Sequence, residues 1–309
     1  MKDLILFGDC KETLKQFPRG SAQMCVTSPP YYGLRDYGGE ANQIGQEETP
    51  EEFVNNLVEV FREVRDVLKD DGVLWLNIGD SYYNYRPGTG GLPKQTVSRT
   101  SQDLPTQCNR RANKLDGLKE KDLIGIPWML AFALRADGWY LRQDIIWHKP
   151  NPMPESVKDR CTKSHEYIFL LSKNKKYYYD NEAIKEPVKQ DWGTRNRDAG
   201  KYHNPGTGLQ PHSGLTKSYE RKNKRDVWTI TNKPYKGAHF AVFPPDLIEP
   251  CILAGSERGD IILDPFMGSG TTGMVAKKHG RAYIGCELHE DYASLQTDRI
   301  DSIPSQLVL

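Results

Sequence analysis

The chain has 309 residues, 37% of them hydrophobic and 27% charged, with a net charge of +1. That composition suits one large globular domain, or a core carrying an insert. No apolar run approaches the ~20 residues of a membrane span, and the apolar part of Met1–Asp9 is too short for a signal peptide. The six cysteines, at 10, 25, 108, 161, 251 and 286, form no C-x-x-C pair, so no metal site is expected. Their scatter reads as the reduced thiols of a cytoplasmic protein.

In chain order, residues 3–8 read as a short apolar strand ending at Asp9, and 11–17 as a short helix. Residues 22–27 form a second strand, which stops at Ser28-Pro29-Pro30-Tyr31-Tyr32 because proline cannot continue a ladder. Pro50 to Lys69 has helical spacing through Phe53, Leu57, Val60, Phe61, Val64 and Leu68, with Pro50 in the first turn. Asp71-Gly72 reads as a turn, and Val73 to Ile78 as a buried strand. Periodicity is lost from 84 to 121, which predicts a mobile loop. Residues 127–136 read as a helix, Tyr140 to Trp147 and Tyr167 to Leu171 as an antiparallel pair, and Tyr177-Tyr178-Tyr179 as an edge strand. Residues 184–236 are again irregular. Phe243 to Ala254 reads as a helix opened by Pro244-Pro245. A strand Ile261–Leu263, a Gly-rich turn over 264–270, a helix to Lys278 and a strand Ala282–Cys286 follow. The alternation predicts an α/β fold: a mostly parallel sheet with helices on both faces.

The charge is unevenly spread. Residues 86–121 carry eight Lys/Arg against three Asp/Glu, and residues 193–236 carry ten against three. Two basic, Gly/Pro/Asn-rich segments on an acidic core read as nucleic-acid contact loops. Arg195, Arg197, Arg221, Lys222, Lys224 and Arg225 are candidate phosphate contacts.

Two motifs carry chemistry. Asp264-Pro265-Phe266-Met267-Gly268-Ser269-Gly270-Thr271-Thr272 follows a strand and opens a helix, where glycines let the backbone turn tightly and approach a ligand. Glu287 ends the next strand, the place where an acidic residue bonds ribose hydroxyls in nucleotide-binding α/β folds. No Gly-Lys-Ser/Thr follows and the third glycine of a dinucleotide fingerprint is missing, so an adenosine cofactor without a pyrophosphate is expected. The second motif is Thr27-Ser28-Pro29-Pro30-Tyr31, at a strand end. A base amino group is a poor nucleophile because its lone pair is delocalised into the ring. Ser28 Oγ and the Pro29 carbonyl could accept its hydrogens and favour a tetrahedral nitrogen. The prolines stiffen the loop, and Tyr31 offers a stacking face for a flipped base. Such a site would work by direct in-line transfer, driven by positioning. Trp147 and His148 are candidates for lining the base pocket.

Ser28-Pro29-Pro30-Tyr31 resembles the catalytic motif of the DNA amino-methyltransferases, and Asp264 to Gly270 resembles their S-adenosylmethionine motif. The resemblance implies that Glu287 binds ribose, that Asp9 contacts adenine, and that His239–Pro244, with Phe243, lies against the methionine moiety. Asp264, Pro265, Phe266, Gly268, Gly270 and Thr271 are cofactor-binding by the same resemblance. Ile145–Asn151 and His165-Glu166 resemble segments that support the target-base pocket. The catalytic motif precedes the cofactor motif, the order of the β-class. This implies a Rossmann-like, circularly permuted core over 1–183 and 237–309, the catalytic half first and the cofactor half second, with the target-recognition segment at 184–236. Serine at the head of the motif resembles the cytosine-N4 enzymes, with adenine N6 the alternative and an RNA or protein amide methyltransferase a third. No cysteine is placed for carbon-5 chemistry: Cys251 follows Pro250 but falls in an expected helix. The implied partners are duplex DNA, a cognate restriction endonuclease and a second copy in a homodimer.

Overall fold

The computed structural model describes residues 2–36, 43–83, 106–107, 115, 117–188, 220–232 and 243–303. Its first part runs β1 (Leu4–Phe7), α1 (Cys10–Thr13), β2 (Ala22–Thr27), β3 (Arg35–Asp36), α2 (Pro50–Val67), β4 (Leu68–Ile78) and β5 (Thr106–Gln107). Then come α3 (Ile126–Ala136), β6 (Tyr140–His148), β7 (His165–Ser172), β8 (Glu186–Pro187), β9 (Arg221–Lys222) and β10 (Val227–Thr229). The last part is α4 (Pro245–Gly255), β11 (Ile261–Asp264), α5 (Thr271–Lys278), β12 (Ala282–Glu287) and α6 (Ala293–Asp301).

Eight strands form one sheet in the order β1-β12-β11-β2-β4-β7-β6-β10. All its pairings are parallel except those of β7, which runs against β4 and β6. The first strand lies beside the last, β1 against β12, so the sheet has the permuted order that the motif order implies. Strand alternation sends neighbouring side chains to opposite faces. On one face Leu74, Leu76, Phe169 and Leu263 pack with Phe53, Leu57 and Phe61 of α2 and Leu130 and Leu134 of α3. On the other, Val73, Trp75, Val26 and Leu170 pack with Ile248 and Ile252 of α4 and Val275 of α5. Helix α2 starts where it does because Thr49 and Glu52 form a reciprocal capping box ahead of Pro50.

Several expectations need correction. The helix expected over 11–17 is α1 followed by a single 3-10 turn, Leu14–Gln16. Strand β4 begins at Leu68 and runs through Asp71-Gly72, expected as a turn; the register jumps from Ala22↔Leu68 to Met24↔Val73, so the extra residues form a bulge. Gly72 permits it, since a Cβ there would stand 2.9 Å from the Lys69 carbonyl. Tyr177–Tyr179 form no strand: Tyr179 stacks on Trp75 with ring centroids 6.3 Å apart, and the Tyr177 hydroxyl accepts from Arg142. The 184–236 segment is not irregular throughout, because β10 extends the main sheet along β6. Most of the loop expected over 84–121 lies outside the described residues, as do 189–219 and 233–236.

Candidate active site

The C-terminal ends of β1, β2, β11 and β12 open into one cleft. In open α/β sheets ligands bind at such strand ends. Asp9, Pro265, Phe266, Gly268, Thr271, Glu287 and Phe243 line it, and so do Ser28 and Pro30. The two motifs, far apart in the chain, thus share one cavity.

Glu287 ends β12 with its carboxylate turned into the glycine turn. Its Oε2 accepts from Gly268 N at 2.8 Å and its Oε1 from His289 N at 3.1 Å. Each oxygen keeps a lone pair that suits a diol donor. Burial pushes its pKa up to about 7, against the backbone N–H bonds that lower it. Asp9 caps α1, its Oδ1 accepting from Lys11 N at 2.9 Å, and presents a second carboxylate to the cleft. Between these acidic ends the walls include Ile44, Phe243, Phe266 and Leu288. An apolar slot flanked by hydrogen-bond acceptors fits an adenosine moiety.

Asp264 lies beneath the cleft and does not line it. Its Oδ1 accepts from Thr27 Oγ1 at 2.6 Å and from Phe266 N at 3.0 Å, and its Oδ2 from Thr272 Oγ1 at 2.5 Å. Burial raises its pKa to about 6, opposed by these three bonds. The carboxylate is therefore a strut between the residue before Ser28 and the first turn of α5. Gly270 also stays out of the cleft. It starts α5 at φ 79°, where a Cβ would stand 3.3 Å from the Gln296 backbone.

On the catalytic side, Pro29 is buried and Ser28 and Pro30 face the cavity. The Tyr31 hydroxyl donates to Glu166 Oε2 at 2.7 Å, and its ring lies against Gly79, where a Cβ would be 2.6 Å from Cε2. Burial and the Glu166 charge push its pKa well up. Trp147 is buried, its indole N–H on the Ile230 carbonyl at 2.9 Å, and His148 Nδ1 is 3.1 Å from Thr229 Oγ1. Both residues anchor the stretch around β10 and neither lines the cleft.

Of the basic candidates, Arg195 and Arg197 lie outside the described residues. Arg225 pairs with Glu186 at 2.7 Å, Arg221 donates to the Lys185 carbonyl at 2.8 Å, and Lys224 sits 4.9 Å from the Trp228 ring centroid. Lys222 is 3.6 Å from Glu186. Of the stretch His239–Pro244, only Phe243 and Pro244 are described. The cleft also holds residues that no motif marked: Gln43, Ile44, His289 and Tyr292. Adjacency to Glu287 is a signal for His289; Gln43 and Ile44 carry none. Among the described residues no helix is long and apolar enough to cross a membrane.

A family model described as DNA methylase, covering N6 and N4 enzymes, matches residues 22–298. The chain belongs to this DNA methylase family. The methylase is 48% identical over 301 residues to the type II methyltransferase M.SmaI of Serratia marcescens, covering 96% of this chain and 90% of that one. It is 45% identical to M.Cfr9I of Citrobacter freundii, covering 97% and 88%. The methylase shares its fold with the PvuII cytosine-N4-specific DNA methyltransferase, at a TM-score of 0.62 and 20% identity, over 95% of this chain and 84% of that one.

Proposed function

We propose that this methylase transfers the methyl group of S-adenosylmethionine to the N4 amino group of cytosine in duplex DNA. The observation that carries the reading is that Ser28 and Pro30 share one cleft with Asp9, Gly268 and Glu287. A donor held by Glu287 at the ribose and Asp9 at the adenine would place its methyl group toward Ser28. Bound there, S-adenosylmethionine supplies an activated methyl on a sulfonium. Ser28 Oγ and the Pro29 carbonyl accept the amino hydrogens and favour a tetrahedral nitrogen, and the two prolines hold that carbonyl's direction. Rate comes from alignment.

Serine at the head of the loop supports cytosine, because a hydroxyl is a weaker acceptor than a carboxylate and the cytosine amino group is the more reactive. The similarity to type II methyltransferases supports a role in a restriction–modification pair, with a cognate endonuclease as the functional partner. Arg221, Lys222, Lys224 and Arg225 are the proposed phosphate contacts among the described residues.

The test is methyl transfer from labelled S-adenosylmethionine to mixed-sequence duplex DNA, followed by nucleoside analysis by mass spectrometry. N4-methylcytosine is expected. N6-methyladenine would overturn the base assignment and leave the donor and the cleft intact. Ser28→Ala should abolish transfer while donor binding persists; transfer at the wild-type rate would sink the role given to Ser28.

A further inference from the structure

Strand β2 ends in the catalytic loop and runs parallel to β4. Strand β7 runs against β4, and β6 runs against β7. The connection from β6 to β7, residues 149–164, therefore leaves the sheet on the same edge as Ser28 and Tyr31. Both of its ends are tied to the surroundings of Tyr31. Lys149 Nζ holds Glu166 Oε1, and Glu166 Oε2 accepts from the Tyr31 hydroxyl at 2.7 Å. Lys163 Nζ donates at 2.9 Å to the carbonyl of Asp80, the residue after Gly79, against which the Tyr31 ring lies. Between its ends the connection is braced. Asn151 and Asn232 bond to each other twice, at 3.1 Å each. Arg160 pairs with Glu155 and lies 3.8 Å from the Tyr82 ring centroid, and Asp159 pairs with Lys121 at 2.7 Å.

This braced connection carries Pro152-Met153-Pro154. Met153 is 85% exposed, more than any other large hydrophobic residue among the described residues. A single exposed apolar side chain is ordinary on a protein surface. Stiffness and surroundings set this one apart. Pro152 has a fixed φ and Pro154 confines Met153 to extended backbone, so little backbone freedom is left to lose when the side chain meets a partner. The connection holds Lys149, Lys158, Arg160 and Lys163 against Glu155 and Asp159. Both acids are already taken up in ion pairs, with Arg160 and Lys121, and Lys158 stays exposed. An apolar tip on a stiff, cationic arm beside the catalytic loop matches a duplex, which is anionic outside and apolar between its base pairs.

We propose that Met153 is a wedge that enters the base stack where the target nucleotide leaves it. The inference rests on the reading that the methylated amino group belongs to a base in duplex DNA, and it holds for cytosine and adenine alike. A base inside a duplex cannot reach the Ser28 cleft, so it must swing out, and unpairing and unstacking oppose that motion. Apolar side chains inserted at a base step offset part of this cost by covering the faces that the departing base exposes. Methionine suits the task because its chain is unbranched and its sulfur is polarisable against aromatic faces. Lys158, on the same connection, meets the flanking phosphates and holds the arm in register. Met153 touches no reacting atom. It is a positioning residue that raises the population of the extruded base and leaves the methyl-transfer step itself unchanged.

The test is single-turnover methyl transfer by the full chain, as wild type, Met153→Ala and Met153→Leu, on synthetic duplexes carrying the sequence that the wild type methylates. In one duplex every base is paired; in the other the target base faces an abasic site and is already unpaired. Met153→Ala should lose about tenfold in rate on the paired duplex and less than about twofold on the unpaired one, where extrusion costs little. Met153→Leu should keep the wild-type rate on both, because it restores the apolar bulk. Thermal melts and donor affinity by calorimetry should match the wild type in both variants, since so exposed a side chain contributes little to the fold. Met153→Ala at full rate on the paired duplex would overturn the proposal. An equal loss on the two duplexes would also overturn it, because the residue would then serve docking and not extrusion; so would a Met153→Leu as slow as Met153→Ala. A wild type that methylates no duplex DNA would instead sink the reading beneath it, so the two failures are distinguishable.

Discussion

Glu287 sits in the cleft with only 8% of its surface exposed, and its pKa is pushed up to about 7. A ribose diol donating to both oxygens would favour the carboxylate and lower that pKa. The sign follows. Below about 7 the free protein holds the group protonated, and the bound form holds it ionised, so binding releases a proton. Donor affinity should therefore weaken as pH falls through 7 and level off above it. Calorimetry just below that pH, in two buffers of different ionisation enthalpy, should show proton release. Glu287→Gln should remove the pH dependence and cost about 2 kcal/mol of binding. A pH-independent affinity in the wild type would mean that Glu287 does not hold the donor. In the ligand-free fold the raised values of Glu287 and Asp264 act together. Their protonated forms are favoured by folding, so that contribution is full below their ordinary values of 4.5 and 3.8. It is lost as pH rises through about 6 for Asp264 and about 7 for Glu287. Thermal melts of the ligand-free protein should show Glu287→Gln flattening the pH dependence over that window.

At the scale of elements, β4 delivers Asn77 and Gly79 under the catalytic loop, and Gly79 has no room for a side chain. A Cβ there would stand 2.6 Å from Tyr31 Cε2 and 3.4 Å from Glu166 Cδ, and Tyr31 cannot swing away without breaking its bond to Glu166. Gly79→Ala should therefore lower the rate of methyl transfer by at least about tenfold, while the overpacking costs only about 1–3 kcal/mol of stability. A denaturant melt beside a rate measurement checks both; an unchanged rate would show that the ring tolerates displacement. The neighbouring elements show what could be read from residues and what could not. The end of β2 was legible because two prolines stop any ladder, and the cofactor turn because Gly268 and Gly270 adopt positive φ, at 51° and 79°. The strand at Val227–Thr229 was not legible. Three residues in a basic stretch carry no period, and their pairing is decided by β6, some 80 positions earlier. Asp264 was legible as part of the turn but not as a strut, since its partner Thr27 lies 237 positions away. Glu166 was placed near the target-base pocket through family resemblance, yet its bond to Tyr31 depends on how β7 pairs with β4.

At the scale of the whole molecule, a net charge of +1 conceals an acidic core and two basic segments, 86–121 and 193–236, with ten Lys/Arg against three Asp/Glu in the second. Duplex DNA is a line of phosphates, and each one neutralised releases counterions, so affinity falls with salt in proportion to the contacts made. The described part of the second segment is joined to the sheet by β10 on β6. Trp228 is buried there with its indole N–H on the Arg225 carbonyl at 2.6 Å. The basic run from Arg221 to Arg225 is thus held by the rigid core, and its members are unequal. Arg225 already pairs with Glu186 at 2.7 Å, so its charge is partly spent within the protein, whereas Lys224 lies against the Trp228 ring, 4.9 Å from its centroid. Lys224→Ala should then lower the slope of log affinity against log salt by about 1, and Arg225→Ala by less. The measurement is fluorescence anisotropy of a labelled duplex across a salt series. If instead the two substitutions change the slope equally, Glu186 yields Arg225 to the phosphates on binding. Glu186→Gln should then strengthen binding at low salt, which decides whether that carboxylate acts as a competitor of DNA for the same guanidinium.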